Sequence, residues 1–170
     1  MPVRYLFLLI LLIILVMFGG RGNFVYATST ATVTATVTVQ NISVSISDGT
    51  VSYGTLGANS SAGTNGSDTQ TATNNGNVAE DLNIRGTNSA NWTLDTTNST
   101  TDHYIHRFCT ASCASAPTNY TALTTNYQAL GSGNVAANGT QTFDLYITTP
   151  QTSSVYTQQS VDVTVQAVIH

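Results

Sequence analysis

The run 31-ATVTATVTV-39 constrains this chain more than any other feature. Its odd positions, Ala31, Val33, Ala35, Val37 and Val39, are apolar, and its even positions are all threonine. Successive side chains of a β-strand point to opposite faces, so this rhythm describes a strand with one apolar face. Branching at Cβ restricts χ1 in Val and Thr and favours extended backbone. The frame then inverts: in 42-ISVSIS-47 the even positions Ile42, Val44 and Ile46 are apolar and the odd ones are serine. A slip of one residue turns every side chain to the other face. Gln40-Asn41 is therefore expected to be a bulge, a bend, or the point where the chain passes from one sheet to another.

The same period of two recurs along the chain. Strands are expected at 51-VSYGTL-56, 69-TQTATN-74, 78-VAEDLNIR-85, 91-NWTLD-95 and 103-HYIHRF-108, then near 120–130, at 141-QTFDLYIT-148 and at 160-SVDVTVQAVI-169. Val78, Leu82 and Ile84 share an inward face, as do Phe143, Leu145 and Ile147, and Val161, Val163, Val165, Ala167 and Ile169. Trp92, the sole tryptophan, is expected to pack in the core with Leu94. Turn signals at Asp48-Gly49 and a polar loop at 57-GANSSAGTNGSD-68 separate these runs. No segment carries a helical period. The expected fold is all-β, a single antiparallel β-sandwich of the Ig-like kind.

The first 27 residues read differently. Arg4 precedes an unbroken apolar run of 14 residues, Tyr5 to Phe18, after which Gly19-Gly20 breaks the run and Val25-Tyr26-Ala27 offers small residues for cleavage. That is the grammar of a secretory signal peptide, residues 1–27, and the run is too short for a membrane span of about 20 residues. Residues 28–170 are then one domain, contacting the membrane only through the cleaved leader, and the protein is expected to be secreted or held at the extracellular cell surface. This part contains two arginines, eight acidic residues and no lysine, a net charge of −6. Nucleic acid and anionic membranes demand a basic face, so both are excluded as partners. Thr and Ser together supply about a third of the residues and provide the solubility that charge ordinarily provides.

Chemistry, if present, would centre on 103-HYIHRFCTASC-113, where His103, His106, Cys109 and Cys113 fall within eleven residues. Along a strand His103 and His106 point to opposite faces, which is poor geometry for a shared ion. In an exported chain thiols tend to oxidise. The expectation is a Cys109–Cys113 disulfide that requires Thr110-Ala111-Ser112 to turn sharply, with free thiols or a metal site as the alternatives. The acids Asp48, Asp68, Glu80, Asp81, Asp95, Asp102, Asp144 and Asp162 are scattered, and no serine stands in a nucleophile elbow. No catalytic, cofactor or metal residues are assigned, and the chain is expected not to be an enzyme. Seven glycosylation sequons occur, at Asn41, Asn59, Asn65, Asn91, Asn98, Asn119 and Asn138. Without lysine, Lys–Asn isopeptide cross-links cannot form.

The progression 53-YGTL-56, 74-NNGNVAEDLNIRG-86 and 91-NWTLD-95 resembles the first half of WxL-type cell-surface domains and, more loosely, camelysin-like biofilm-fibre subunits. Its C-terminal counterpart, 134-NVAANGTQTFDLYITTP-150 with 161-VDVTV-165, resembles the last strands of Ig-like export modules of bacteria and archaea. The resemblance implies a secreted surface module that associates with itself or with other cell-envelope proteins or glycans.

Two functions from different classes are thereby open. One is a non-enzymatic structural or adhesive protein of the cell surface. In that reading residues 28–39 either form the first strand of their own sandwich or add to a neighbour's sheet as a donor strand. The other is a carbohydrate-binding module, with Tyr53, Tyr104, Tyr120, Tyr127, Tyr146 and Tyr156 as stacking platforms. Alignment of several tyrosines on one face distinguishes the second from the first.

Overall fold

The computed structural model describes residues 30–97 and 99–170. The expected signal peptide, residues 1–27, and its expected cleavage site lie outside the described residues. The chain divides into two units at the Val37–Thr38 junction. Of the first unit, residues 30–37 are described; they belong to no strand and are exposed.

The second unit, Thr38–His170, is all-β. Its strands are β1 (Val44–Ile46), β2 (Ser61–Gly63), β3 (Gln70–Asn74), β4 (Glu80–Gly86), β5 (Thr93–Asp95), β6 (His103–Cys109), β7 (Thr121–Ala122), β8 (Gln128–Ala129), β9 (Thr140–Thr148) and β10 (Val163–Ile169). They form two sheets. A seven-stranded sheet runs β1-β3-β9-β6-β5, with β2 also pairing β9 and β7 also pairing β6; a three-stranded sheet runs β10-β4-β8. The two apolar faces meet in one core: Ala72, Phe108, Phe143 and Leu145 from the larger sheet, Leu82 and Ile84 from the smaller, with Leu123 and Leu130 closing it. Burying a Leu, Ile or Phe side chain stabilises by roughly 1.5–3 kcal/mol, so these alternating positions hold the sheets together.

The sandwich is not purely antiparallel. β5 and β6 pair in parallel, Thr93 opposite His103 and Asp95 opposite Ile105. Parallel neighbours ordinarily need a crossover of a dozen residues or more. Here β5 is only three residues long, so the seven residues between Asp95 and His103 suffice to return to its start. That return closes with the Thr93 N–H donating to the Asp102 carbonyl (2.8 Å), and Asp102 adopts a positive φ of 58°.

Other departures are local. The Thr/Val run 31–39 is unpaired, and the frame shift that follows it ends in a strand of three residues. Residues 51–56 are irregular rather than a strand. The expected strand near 120–130 is two short pieces in different sheets, β7 against β6 and β8 against β4. Within the polar loop 57–68 sits β2, paired with β9. Trp92 is half-buried, its ring centroid 6.2 Å from that of the fully buried Tyr104 and its indole N–H donating to Ser153 Oγ (3.0 Å). Among the described residues no helix is long and apolar enough to cross a membrane.

Candidate functional site

The two sheets differ in extent, and the mismatch leaves a cleft of about 970 Å³. Its floor is the inner face of the larger sheet: Ile46 from β1, Gln70 from β3, His106 from β6, and Phe143, Leu145 and Ile147 from β9. One wall is the segment 49–58, and the other is Pro150 to Val163 running into β10. Alternation in β9 and β10 puts the apolar floor and wall there, as their sequences require.

Both walls carry unpaired backbone. β10 is bonded to β4 from Val163–Gly86 to Ile169–Glu80, but it stands at the end of its sheet and its other edge has no partner strand among the described residues. Residues 51–56 make no backbone hydrogen bond at all among the described residues. Nearly all sheltered backbone groups in folded proteins are paired; in the strip 51–56, Val51, Tyr53 and Leu56 are half-buried while Ser52, Gly54 and Thr55 are exposed. Val51, Tyr53, Val163, Val165 and Ala167 are accordingly only partly buried against the core.

The outer wall is pinned to the segment that carries Trp92. Asp102 accepts from the Ser153 hydroxyl (3.0 Å), the Ser154 N–H (2.8 Å) and the Ser154 hydroxyl (2.6 Å). These bonds, those from Ser154 foremost, hold the Asp102 carboxyl below the usual carboxylate range. Ser89 donates its hydroxyl to Gln159 (2.9 Å), and Thr87 and Asp162 exchange two further bonds.

Deep in the cleft lies His106, 2% exposed, with Nε2 2.8 Å from the Tyr53 hydroxyl. Burial pushes the imidazole down to about 4 and keeps it neutral. Burial also raises the Tyr53 hydroxyl, with a contribution from Asp68. Among the described residues the His106 Nδ1 has no hydrogen-bond partner.

The second feature is the segment that precedes β1. Ala31, Val33, Ala35, Val37 and Val39 are all exposed, Val33 and Val37 by 90% and Val39 by 80%. Exposed valines at two-residue spacing on a strand-forming sequence make this segment a candidate interaction surface. The frame shift after Val39 is fixed by the turn 74-NNGN-77. Asn77 donates through its side chain to the Val39 carbonyl (2.8 Å), accepts from the Asn41 N–H (2.8 Å), and donates its own N–H to the Asn41 carbonyl (3.1 Å). Glu80, fully buried, accepts from the Ser43 N–H (2.8 Å). Gly76 is required here, since a Cβ would run into the Asn41 carbonyl and the Glu80 carboxylate. The sequence signals this clamp only as a turn; its hold on Asn41, 36 residues away in sequence, is a tertiary fact.

The residues singled out in the sequence are distributed as follows. Cys109 and Cys113 form a disulfide with Cα atoms 5.7 Å apart, and Ser112 makes the sharp turn with φ 57°. His103 and His106 part company: His103 Nδ1 lies 3.4 Å from Asp95, while His106 lies in the cleft with Tyr53. Asp144 is buried in a knot of hydroxyl and amide donors, which sequence reasoning missed. The tyrosines do not share one face. Tyr104 is fully buried and Tyr53 points to His106; Tyr120 and Tyr146 lie 5.6 Å apart, Tyr127 stacks under Arg85 (4.8 Å), and Tyr156 is 93% exposed in the outer wall. Among the sequons, Asn65 is committed to Asp144 and Asn119 to the Ser112 carbonyl. Asn98 lies outside the described residues.

The disulfide closes a ring of only a few residues, so the loop-entropy account assigns it about 2 kcal/mol. Reduction is expected to lower the unfolding free energy by that amount, read from chemical denaturation, while the far-ultraviolet β signal persists. Global unfolding on reduction would show that the staple holds more than its loop.

No known protein family matches the chain, and no curated protein is significantly similar to it.

Proposed function

We propose that this is a non-enzymatic, extracellular structural or adhesive protein of the cell surface, an Ig-like β-sandwich that associates with its own kind through its N-terminal strand. The observation that carries this reading is the exposure of Val33, Val37 and Val39 on a segment whose every second residue is apolar. A strand sequence left outside its own sheets has its complement elsewhere. The cysteine pair in disulfide form agrees with export. So does a surface solubilised by Ser and Thr, and a negative net charge keeps identical subunits from clumping without order.

The alternative, a carbohydrate-binding module, has one local support: the Tyr120–Tyr146 pair beside Arg107, which is opposite Tyr146 in the β6–β9 register. Two rings make a small platform, and the remaining tyrosines lie elsewhere.

Deleting residues 28–39 tests the reading. The expected result is a folded monomer that no longer forms oligomers or fibres by light scattering and negative-stain microscopy. An unfolded remainder would place these residues inside their own sandwich and refute donation. Unchanged assembly would do the same.

A further inference from the structure

We infer that the cleft between residues 51–56 and the free edge of β10 is the acceptor slot for residues 31–39 of a second copy of this chain. This rests on the self-association proposed above and names the surface that it uses.

Three observations converge on the slot. It is bounded on both sides by backbone that has no partner, the strip 51–56 and the outer edge of β10. A strand laid between them offers its own N–H and C=O groups to both. Phe143, Leu145 and Ile147 form the apolar part of its floor, beside Gln70 and His106, and apolar side chains arriving every second residue along a strand would rest on them. It is also nearly free of charge, Asp162 being the acidic side chain in its lining while His106 is held neutral.

The occupant matches point by point. Residues 31–39 contain no charged side chain, and their nine residues equal the length of β9 and exceed the seven of β10. With Ala31, Val33, Ala35, Val37 and Val39 turned to the floor, the threonines face outward, the side on which β10 already shows Gln166. The smaller sheet then becomes donor-β10-β4-β8, and the half-buried Val163 and Val165 are covered.

A second copy, rather than the same chain, is the donor because of the clamp. The Val39 carbonyl and the backbone of Asn41 are tied to Asn77, and the chain then continues through β1 before it reaches the cleft wall at Gly49. Residues 31–38 precede that tie in the chain, belong to no strand and are exposed, so they are available to a neighbour's slot. Each copy thus presents a donor at one place and an acceptor at another. That is a head-to-tail contact, which propagates into a filament.

Amide hydrogen exchange on the full chain, dilute and assembled, tests this. On assembly, amides of residues 31–39, 52–56 and 163–169 are expected to slow by at least about 100-fold, while β3 and β9 change little. Val37→Asp in the full chain should abolish both the assembly and the protection, with the β-sheet circular dichroism unchanged. Assembly with protection confined to other strands overturns the slot while leaving self-association standing. Protection of the same three segments in the dilute monomer, independent of concentration, overturns the second copy as donor. No assembly at any concentration refutes the slot together with the reading beneath it.

Discussion

Alanine in place of Asp144 lowers the unfolding free energy by about 3 kcal/mol, the scale for losing hydrogen bonds to a buried charged group. Asp144 is 5% exposed on β9, and the loop 64–69 folds over it. Its Oδ1 accepts from the hydroxyls of Thr64 (3.2 Å) and Thr69 (2.6 Å), and its Oδ2 from the Asn65 amide (2.8 Å). No cation stands among these donors, so the carboxylate is held by neutral groups alone. Removing it strands three donors over an apolar methyl. The loop is tied to β9 by backbone as well, through the Thr64 N–H to the Leu145 carbonyl (2.9 Å). The substitution should therefore free the loop locally before the sheets part. Chemical denaturation of D144A and D144N separates charge from shape: asparagine keeps an acceptor and should recover part of the loss. A loss below about 1 kcal/mol in D144A, the worth of a single ordinary hydrogen bond, would show that the knot is replaced by water at little cost.

Stability falls on mild acidification, by up to about 3 kcal/mol between pH 6.5 and pH 4, and His106 is the group responsible. In the unfolded chain the imidazole takes a proton near its ordinary value of 6.5, whereas in the fold burial delays protonation to about 4. Between these values the unfolded state binds more protons, so stability rises with pH through the window. The contribution is complete above pH 6.5, declines as pH falls, and levels off below 4. Two carboxyls held below their ordinary range, Asp81 by the Asn134 N–H and His170, and Asp102 by Ser154 and Ser153, shift the other way. Their contribution is present above the ordinary carboxylate value and is lost only at more acid pH, outside this window. Melting temperatures of the wild type should drop steadily from pH 7 to 4.5, and His106→Phe should flatten the curve. An equal slope in both proteins would assign the effect to another group. Since His106 and Tyr53 line the cleft, the same window should weaken any assembly that uses it.

Both effects arise at positions where alternation along the strand gave no warning. β9 was legible as a strand with Phe143, Leu145 and Ile147 inward, and they are buried as read. Asp144, read as outward, is buried too, because a loop 75 to 80 residues earlier in the chain returns to cover it. His106 was correctly placed on the face opposite His103, yet nothing local announced that Tyr53, from a segment read as a strand, would close over it. The Cys109–Cys113 bond was legible because thiols of a chain read as exported tend to oxidise, and the turn at Ser112 supplies the geometry that an extended strand would deny. The parallel pairing of β5 with β6 was not legible, since strand direction depends on which neighbour a three-residue strand finds.

Residue order alone determined the all-β class, the inward faces of β4 and β9 and that of β10 as far as Ala167, and the break in frame at Gln40-Asn41, because a side chain's face follows from its parity; Ile169, read as inward, is 55% exposed at the end of β10. Where the chain goes after that break was decided only in three dimensions. Parity says that Val33 and Val37 share a face, but not whether a sheet is there to receive it. The Asn77 and Glu80 clamp diverts the chain into a short β1 and leaves that face bare, while the unequal sheets open a cleft beside β10. Long-range hydrogen bonds among residues far apart in sequence make that choice, and no local rhythm encodes them.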